Sequence, residues 1–96
     1  MSESEASKTI GDLQKDQSCW ISMAVIHQYQ IGGLRYLFID PTWTAYPTED
    51  AIHPIKLWRD DNGNFRAEAK SHQIIQTEPG LPPKGYLPLM TFANPS

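Results

Sequence analysis

The stretch CWISMAVIHQYQIGGLRYLFIDP, from Cys19 to Pro41, holds two β-prone runs joined at Gly32 and Gly33. A type I′ hairpin turn needs positive φ at both central residues, which glycine adopts without steric cost. Setting Ile31 opposite Leu34 puts Tyr29 opposite Tyr36, His27 opposite Phe38 and Ile26 opposite Ile39. Alternation across the pleat then lines one face with Val25, His27, Tyr29, Ile31, Leu34, Tyr36 and Phe38. The other face takes Trp20, Ala24, Ile26, Leu37 and Ile39, with Gln28, Gln30 and Arg35 near the turn. Both faces are apolar at the root and only the first stays apolar to the tip. The pattern predicts a central hairpin covered on both sides at its root.

A second hairpin is expected over Ile55 to Ala69, turning at Asp60-Asp61-Asn62-Gly63. A two-residue Asn62-Gly63 turn would set Arg59 against Arg66, and like charges directly opposite are unfavourable. A three-residue loop with Gly63 left-handed shifts the register by one. Lys56 then meets Glu68, Leu57 meets Ala67 and Trp58 meets Arg66. That register gives an ion pair and a cation–π contact on one face, and Ile55, Leu57, Phe65, Ala67 and Ala69 on the other.

The flanking segments read less regularly. Residues 1–18 are polar, with Ile10 and Leu13 as the only large apolar side chains, so they are expected to form a flexible or short-helical segment. Thr9 followed by Asp12 resembles a helix-starting box, although Gly11 opposes it. Pro41 and Pro47 bracket Trp43 and Tyr46 in a stiff loop or edge strand. Thr48 to His53 reads as one helical turn capped by Thr48 and stopped by Pro54. A short strand is expected around Ile74 and Ile75, then a loop from Glu78 to Gly85. Tyr86 to Phe92 is β-prone, and Pro88 within it predicts an edge strand or a bulge.

Composition narrows the function classes. Eleven acidic against eight scattered basic residues, a net charge of −3, oppose phosphate recognition, so no nucleic-acid partner is expected. No apolar run approaches the ~18 residues that span a bilayer, and the start MSESEAS is the opposite of a signal peptide. A cytoplasmic protein without a membrane partner is the expectation. The single cysteine agrees with a reducing compartment, since it cannot form an internal disulfide.

Four patterns could carry chemistry. Gln17-Ser18-Cys19-Trp20 resembles the nucleophile segment of papain-like cysteine peptidases and amidases, in which Cys-Trp starts a helix and a distant His activates the thiol. The resemblance covers four residues and implies a cysteine-dependent hydrolase or transferase using Cys19. Read from its own surroundings, Cys19 is instead a small buried thiol at the start of a strand. His27, His53 and His72 lack the close spacing of metal ligands, so neither metal nor cofactor is expected. Pro79, Pro82, Pro83 and Lys84 fit a polyproline docking pattern, or simply a rigid loop.

The fourth pattern is aromatic. Trp43, Tyr46, Trp58 and Arg66 are expected to lie together as a partner-binding surface, because exposed Trp, Tyr and Arg are the usual anchors of protein interfaces. The sequence thus predicts a mainly β fold: two hairpins and short C-terminal strands in a small bent antiparallel sheet or open barrel, with an α+β sandwich as the alternative. Residues 19–96 form the single β-rich domain. The expected function is a small non-catalytic protein-binding module, a regulator, adaptor or inhibitor whose partner is another protein. A small-ligand pocket under the Trp43 loop is the remaining alternative, beside a Cys19 enzyme.

Overall fold

A computed structural model describes residues 8–93 of the chain. In order they form β1 (Lys8–Thr9), a 3₁₀ turn (Ile10–Asp12), β2 (Ser18–Ile21), a second 3₁₀ turn (Met23–Val25), β3 (Ile26–Ile31) and β4 (Leu34–Ile39). Then come β5 (Thr44–Ala45), β6 (Ile55–Arg59), β7 (Phe65–Ala69), β8 (Thr77–Glu78) and β9 (Leu87–Ala93). The described residues contain no α-helix, and no helix long and apolar enough to cross a membrane. The fold is mainly β, as the sequence predicts.

Seven strands form one sheet in the order β2-β6-β7-β9-β4-β3-β8, and β1 pairs with β5 in a separate ribbon. This order forces the sheet to curl. β2 and β3 are five strand spacings apart, about 24 Å if the sheet were flat. Ile21 and Ile26 are separated by five residues, which reach at most about 18 Å fully extended and less through the 3₁₀ turn between them. The sheet therefore bends round until its ends approach, yet β2 and β3 do not pair, so it stays open. Inside the bend lie Cys19, Ile21, Ile26, Ile39, Ile55, Leu57, Phe65, Ala67, Ala69 and Leu89.

Both hairpins take the expected registers. Ile31 pairs with Leu34 and Ile26 with Ile39 in the first, across Gly32 and Gly33 at φ 61° and 83°. In the second, Lys56 pairs with Glu68, Leu57 with Ala67 and Trp58 with Arg66. Its three-residue loop is closed by Asp60 N–H to Asn64 O at 3.0 Å, with Gly63 at φ 84°. The Asp60 carboxylate accepts from the Asn62 and Asn64 amides and from Arg66 Nε. The Arg66 bond comes first among the causes holding its carboxyl below the ordinary value. The first hairpin is indeed covered on both sides at its root. Ile26, Ile39 and Leu37 face the core, while Tyr29 stands edge-on to Phe38 at 5.9 Å and His27 meets Tyr86 at 5.5 Å.

The structure corrects several expectations. The run from Cys19 to Ile31 is not one strand: the Met23–Val25 turn splits it, carrying β2 and β3 to different parts of the sheet. Val25 is consequently a core residue rather than a neighbour of His27 on the opposite face. Residues 8–18 do not behave as a flexible segment. Ile10 is 0% and Leu13 5% exposed, and the backbone donates from Ile10 to Trp43 O and from Gly11 to Pro41 O, each at 2.9 Å. The Thr9–Asp12 box forms, with Asp12 accepting from the Thr9 amide and hydroxyl. Residues 1–7 lie outside the described part.

Two local elements also differ. Thr48 to His53 is no helix: Asp50 and His53 exchange backbone bonds in a tight turn, and the Asp50 side chain takes the Ile52 amide. That side-chain bond offers the backbone an alternative to helix. The strand expected around Ile74 and Ile75 forms instead at Thr77–Glu78, as a parallel partner of Gln28 and Tyr29.

The largest topological correction concerns β9. It pairs antiparallel with β4 and parallel with β7, and so joins the two hairpins rather than lying at an edge. Pro88 is tolerated because β7 starts pairing only at Leu89; at Pro88 the strand has β4 alone beside it. Phe65 pairs with Leu89 and Arg66 with Thr91, which leaves Met90 as an extra, bulged residue. The bulge resets the alternation, so Leu89 and Phe92 both reach the core.

Candidate functional site

The outer face of β2, β6, β7 and β9 collects polar and aromatic side chains because the inner face takes every alternate apolar one. On β2, Cys19 and Ile21 point inwards and Ser18 and Trp20 outwards. On β6, Leu57 and Ile55 are buried while Lys56 and Trp58 face out. Cross-strand register arranges the outward residues in two rows. One runs Tyr46, Trp20, Lys56, Glu68, Ala93, using the isolated bridge between Trp20 and Tyr46. The next runs Ser18, Trp58, Arg66, Thr91.

Of the four expected site residues, this face brings together Tyr46, Trp58 and Arg66. Trp43 stays apart. It is 44% exposed beside the β1–β5 ribbon, and no ring contact among the described residues joins it to the others. Nor does Arg66 stack on Trp58. Its Nε goes to Asp60 and its Nη1 to Thr91 Oγ1 at 3.1 Å, which lays the guanidinium along the sheet. The cation over the Trp58 ring is Lys56, with Nζ 5.8 Å from the centroid. Tyr46 stacks on His53 at 3.7 Å and 19° between planes. Trp20 was missed by sequence reasoning, which grouped it with Ala24 and Ile26. The available signal was the strand's own alternation, with Cys19 and Ile21 apolar on either side.

Two open depressions mark the face. One, about 400 Å³, is walled by Trp20, Pro54, Lys56, Glu68 and Lys70. The other, about 480 Å³, is walled by Asp16, Ser18, Trp58, Asp60, Asp61 and Glu68, and the two share Lys56 and Glu68 as walls. Lys70 is tied to Glu49 at 3.0 Å beside the first.

Cys19 offers little to chemistry. It is 4% exposed, opposite Leu57, and burial pushes its thiol up to about 11. A nucleophilic cysteine needs the opposite shift. His27 lies 3.5 Å from Glu78 and His53 3.5 Å from Asp50. Among the described residues no group of three His, Cys, Asp or Glu is placed to hold a metal ion. The Pro79–Lys84 stretch breaks from a polyproline helix at Gly80, φ 77°.

Cys19→Ser is expected to cost about 1–3 kcal/mol of stability, because the hydroxyl replaces an apolar neighbour of Leu57. In the native chain the thiol should react with an alkylating reagent only as fast as the domain opens. Rapid labelling at neutral pH, unchanged by mild denaturant, would contradict this.

On the first hairpin, the face opposite the core holds Tyr29, Phe38 and His27 under Tyr86 and Glu78. Burial foremost, then Tyr86 and Glu78, raises the Tyr29 phenol. This cluster is a lining between hairpin and strap rather than an opening. Compared with known proteins, the chain matches no family model, no curated protein and no solved structure.

Proposed function

We propose that the chain is a small non-catalytic protein-binding module, a regulator, adaptor or inhibitor that meets its partner with the outer face of β2, β6 and β7. The observation that carries this is the side-by-side setting of Tyr46, Trp20, Trp58 and Arg66 on a hydrogen-bonded sheet. Rings and a guanidinium held by a rigid sheet lose little freedom on binding, which favours a docking surface over a loop. The depressions are open, which suits side chains of a macromolecule better than an enclosed small molecule. The buried thiol gives the alternative of a Cys19 enzyme no accessible nucleophile. A lone cysteine suits a reducing compartment such as the cytoplasm.

The test places a photo-crosslinking side chain at Ser18, which is exposed and opposite Trp58. In extract of the source cells it should yield one dominant protein adduct, lost in the Trp58→Ala background while that variant still melts cooperatively. A crosslinker at Tyr36, on the hairpin arm, should yield none. An adduct that forms from Tyr36, or one indifferent to Trp58→Ala, places the interface elsewhere.

A further inference from the structure

Lys56 and Glu68 stand directly opposite on β6 and β7, the arrangement that normally makes a surface ion pair. They do not make one. The Lys56 ammonium lies over the Trp58 ring instead, and Glu68 has no ion pair among the described residues. Asp16 and Asp61 share the same depression and likewise have no cationic partner there. Their carboxylates lie against each other, and the Asp61 carboxyl is raised, first by the hydrogen bond to Asp16 and then by its charge. Asp16 is fixed in place by its amide, which donates to Arg59 O at 3.1 Å.

The nearby cations are all engaged. Arg66 is held by Asp60, Lys56 by the Trp58 ring, and the Arg59 guanidinium lies 4.4 Å from the Phe65 centroid. The face around Trp58 therefore has three carboxylates unneutralised and an aromatic ring that already attracts a cation.

Resting on the reading of this face as a docking surface, we propose that its partner is a protein segment bearing an arginine, whose guanidinium lies against Trp58 between Glu68 and the Asp16–Asp61 pair. Charge complementarity selects a cation. The planar guanidinium is the cation that can both stack on an indole and donate paired hydrogen bonds to carboxylates. The depression is open along the sheet, so the group arrives on a chain crossing the face. Unneutralised carboxylates turn a phosphate backbone away.

The experiment uses the full chain labelled with ¹⁵N, in which Trp20, Trp43 and Trp58 supply separate indole N–H signals. The probe is a short peptide alternating arginine and serine, with glutamate–serine and lysine–serine peptides of equal length beside it. The arginine peptide should move the Trp58 signal saturably and leave Trp43 still, and the lysine peptide should bind more weakly. Rising salt should weaken the binding, and Asp61→Asn with Glu68→Gln together should weaken it about tenfold, through loss of charge-assisted hydrogen bonds. No movement of Trp58, equal binding by the glutamate peptide, or an unaltered affinity in the double variant overturns the proposal.

The crosslinking experiment separates this from the broader reading. If the double variant still forms the Ser18 adduct and Trp58→Ala abolishes it, the face docks a partner of other chemistry and only the arginine fails. If Trp58→Ala leaves the adduct intact, the docking face itself fails.

Discussion

Cut to begin at Gln17, the chain loses its cooperative melt. The cut removes Ile10, 0% exposed, and Leu13, 5% exposed, both packed in the core cluster. Burying one large aliphatic side chain is worth about 1.5–3 kcal/mol, so the pair contributes roughly 3–6 kcal/mol. A small domain typically has only ~5–15 kcal/mol in total, and this chain's size puts it toward the low end. The cut also exposes the inner surfaces those side chains cover and unpairs β5, whose only ribbon partner is β1. Ile10→Ala in the full chain gives the graded version, an expected loss of about 2–5 kcal/mol. Denaturant unfolding followed by tryptophan fluorescence reads both. A truncated chain whose midpoint matches the full one would show that the segment merely lies against the domain.

Leu89→Ala should cost about 2–5 kcal/mol, and Leu89→Asp should leave no folded state. Leu89 pairs with Leu37 on one side and Phe65 on the other, so one core side chain touches both hairpins. β9 is the sole strand linking β4 to β7, and isolated hairpins are marginal in water. The neighbouring control is Met90→Ala. Met90 is bulged and 52% exposed, and the change should stay within about 0.5 kcal/mol. If the two alanine variants shift the denaturation midpoint equally, β9 is not the seam of the core.

Local chemistry was legible and distant pairing was not. The two hairpin registers follow from Gly32-Gly33 and from Asp61-Asn62-Gly63, since each turn fixes its own strands and a wrong register would oppose Arg59 to Arg66. The inward row Ile55, Leu57, Phe65, Ala67 and Ala69 follows from that register alone. Ile10 and Leu13 gave no such signal: two apolar residues in a polar stretch have no period, and their burial depends on bonds to Pro41 and Trp43. Pro88 pointed to an edge because a proline forbids one backbone donor; it could not reveal that β7 starts one residue later. Three of the four site residues share a face because register settled Trp58 and Arg66. The fourth, Trp43, failed because two prolines fix a loop's stiffness and not its direction. Trp20 was hidden by the 3₁₀ turn after it, which breaks the alternation that would have assigned its side.

An open curled sheet leaves two rims, and an uncovered rim is a template on which further chains can add as strands. Here β2 is shielded by the bridge to Tyr46, and β3 by the two residues of β8. Each shield is followed at once by a proline, Pro47 after Tyr46 and Pro79 after Glu78. Proline has no amide hydrogen to offer a newcomer, so the covering segments cannot themselves extend into strands that recruit another molecule. Solubility in this domain thus rests on two short covers with blunted ends. A change at either proline would show itself first as fibres or precipitate at high concentration, before any change in the melting of the single molecule.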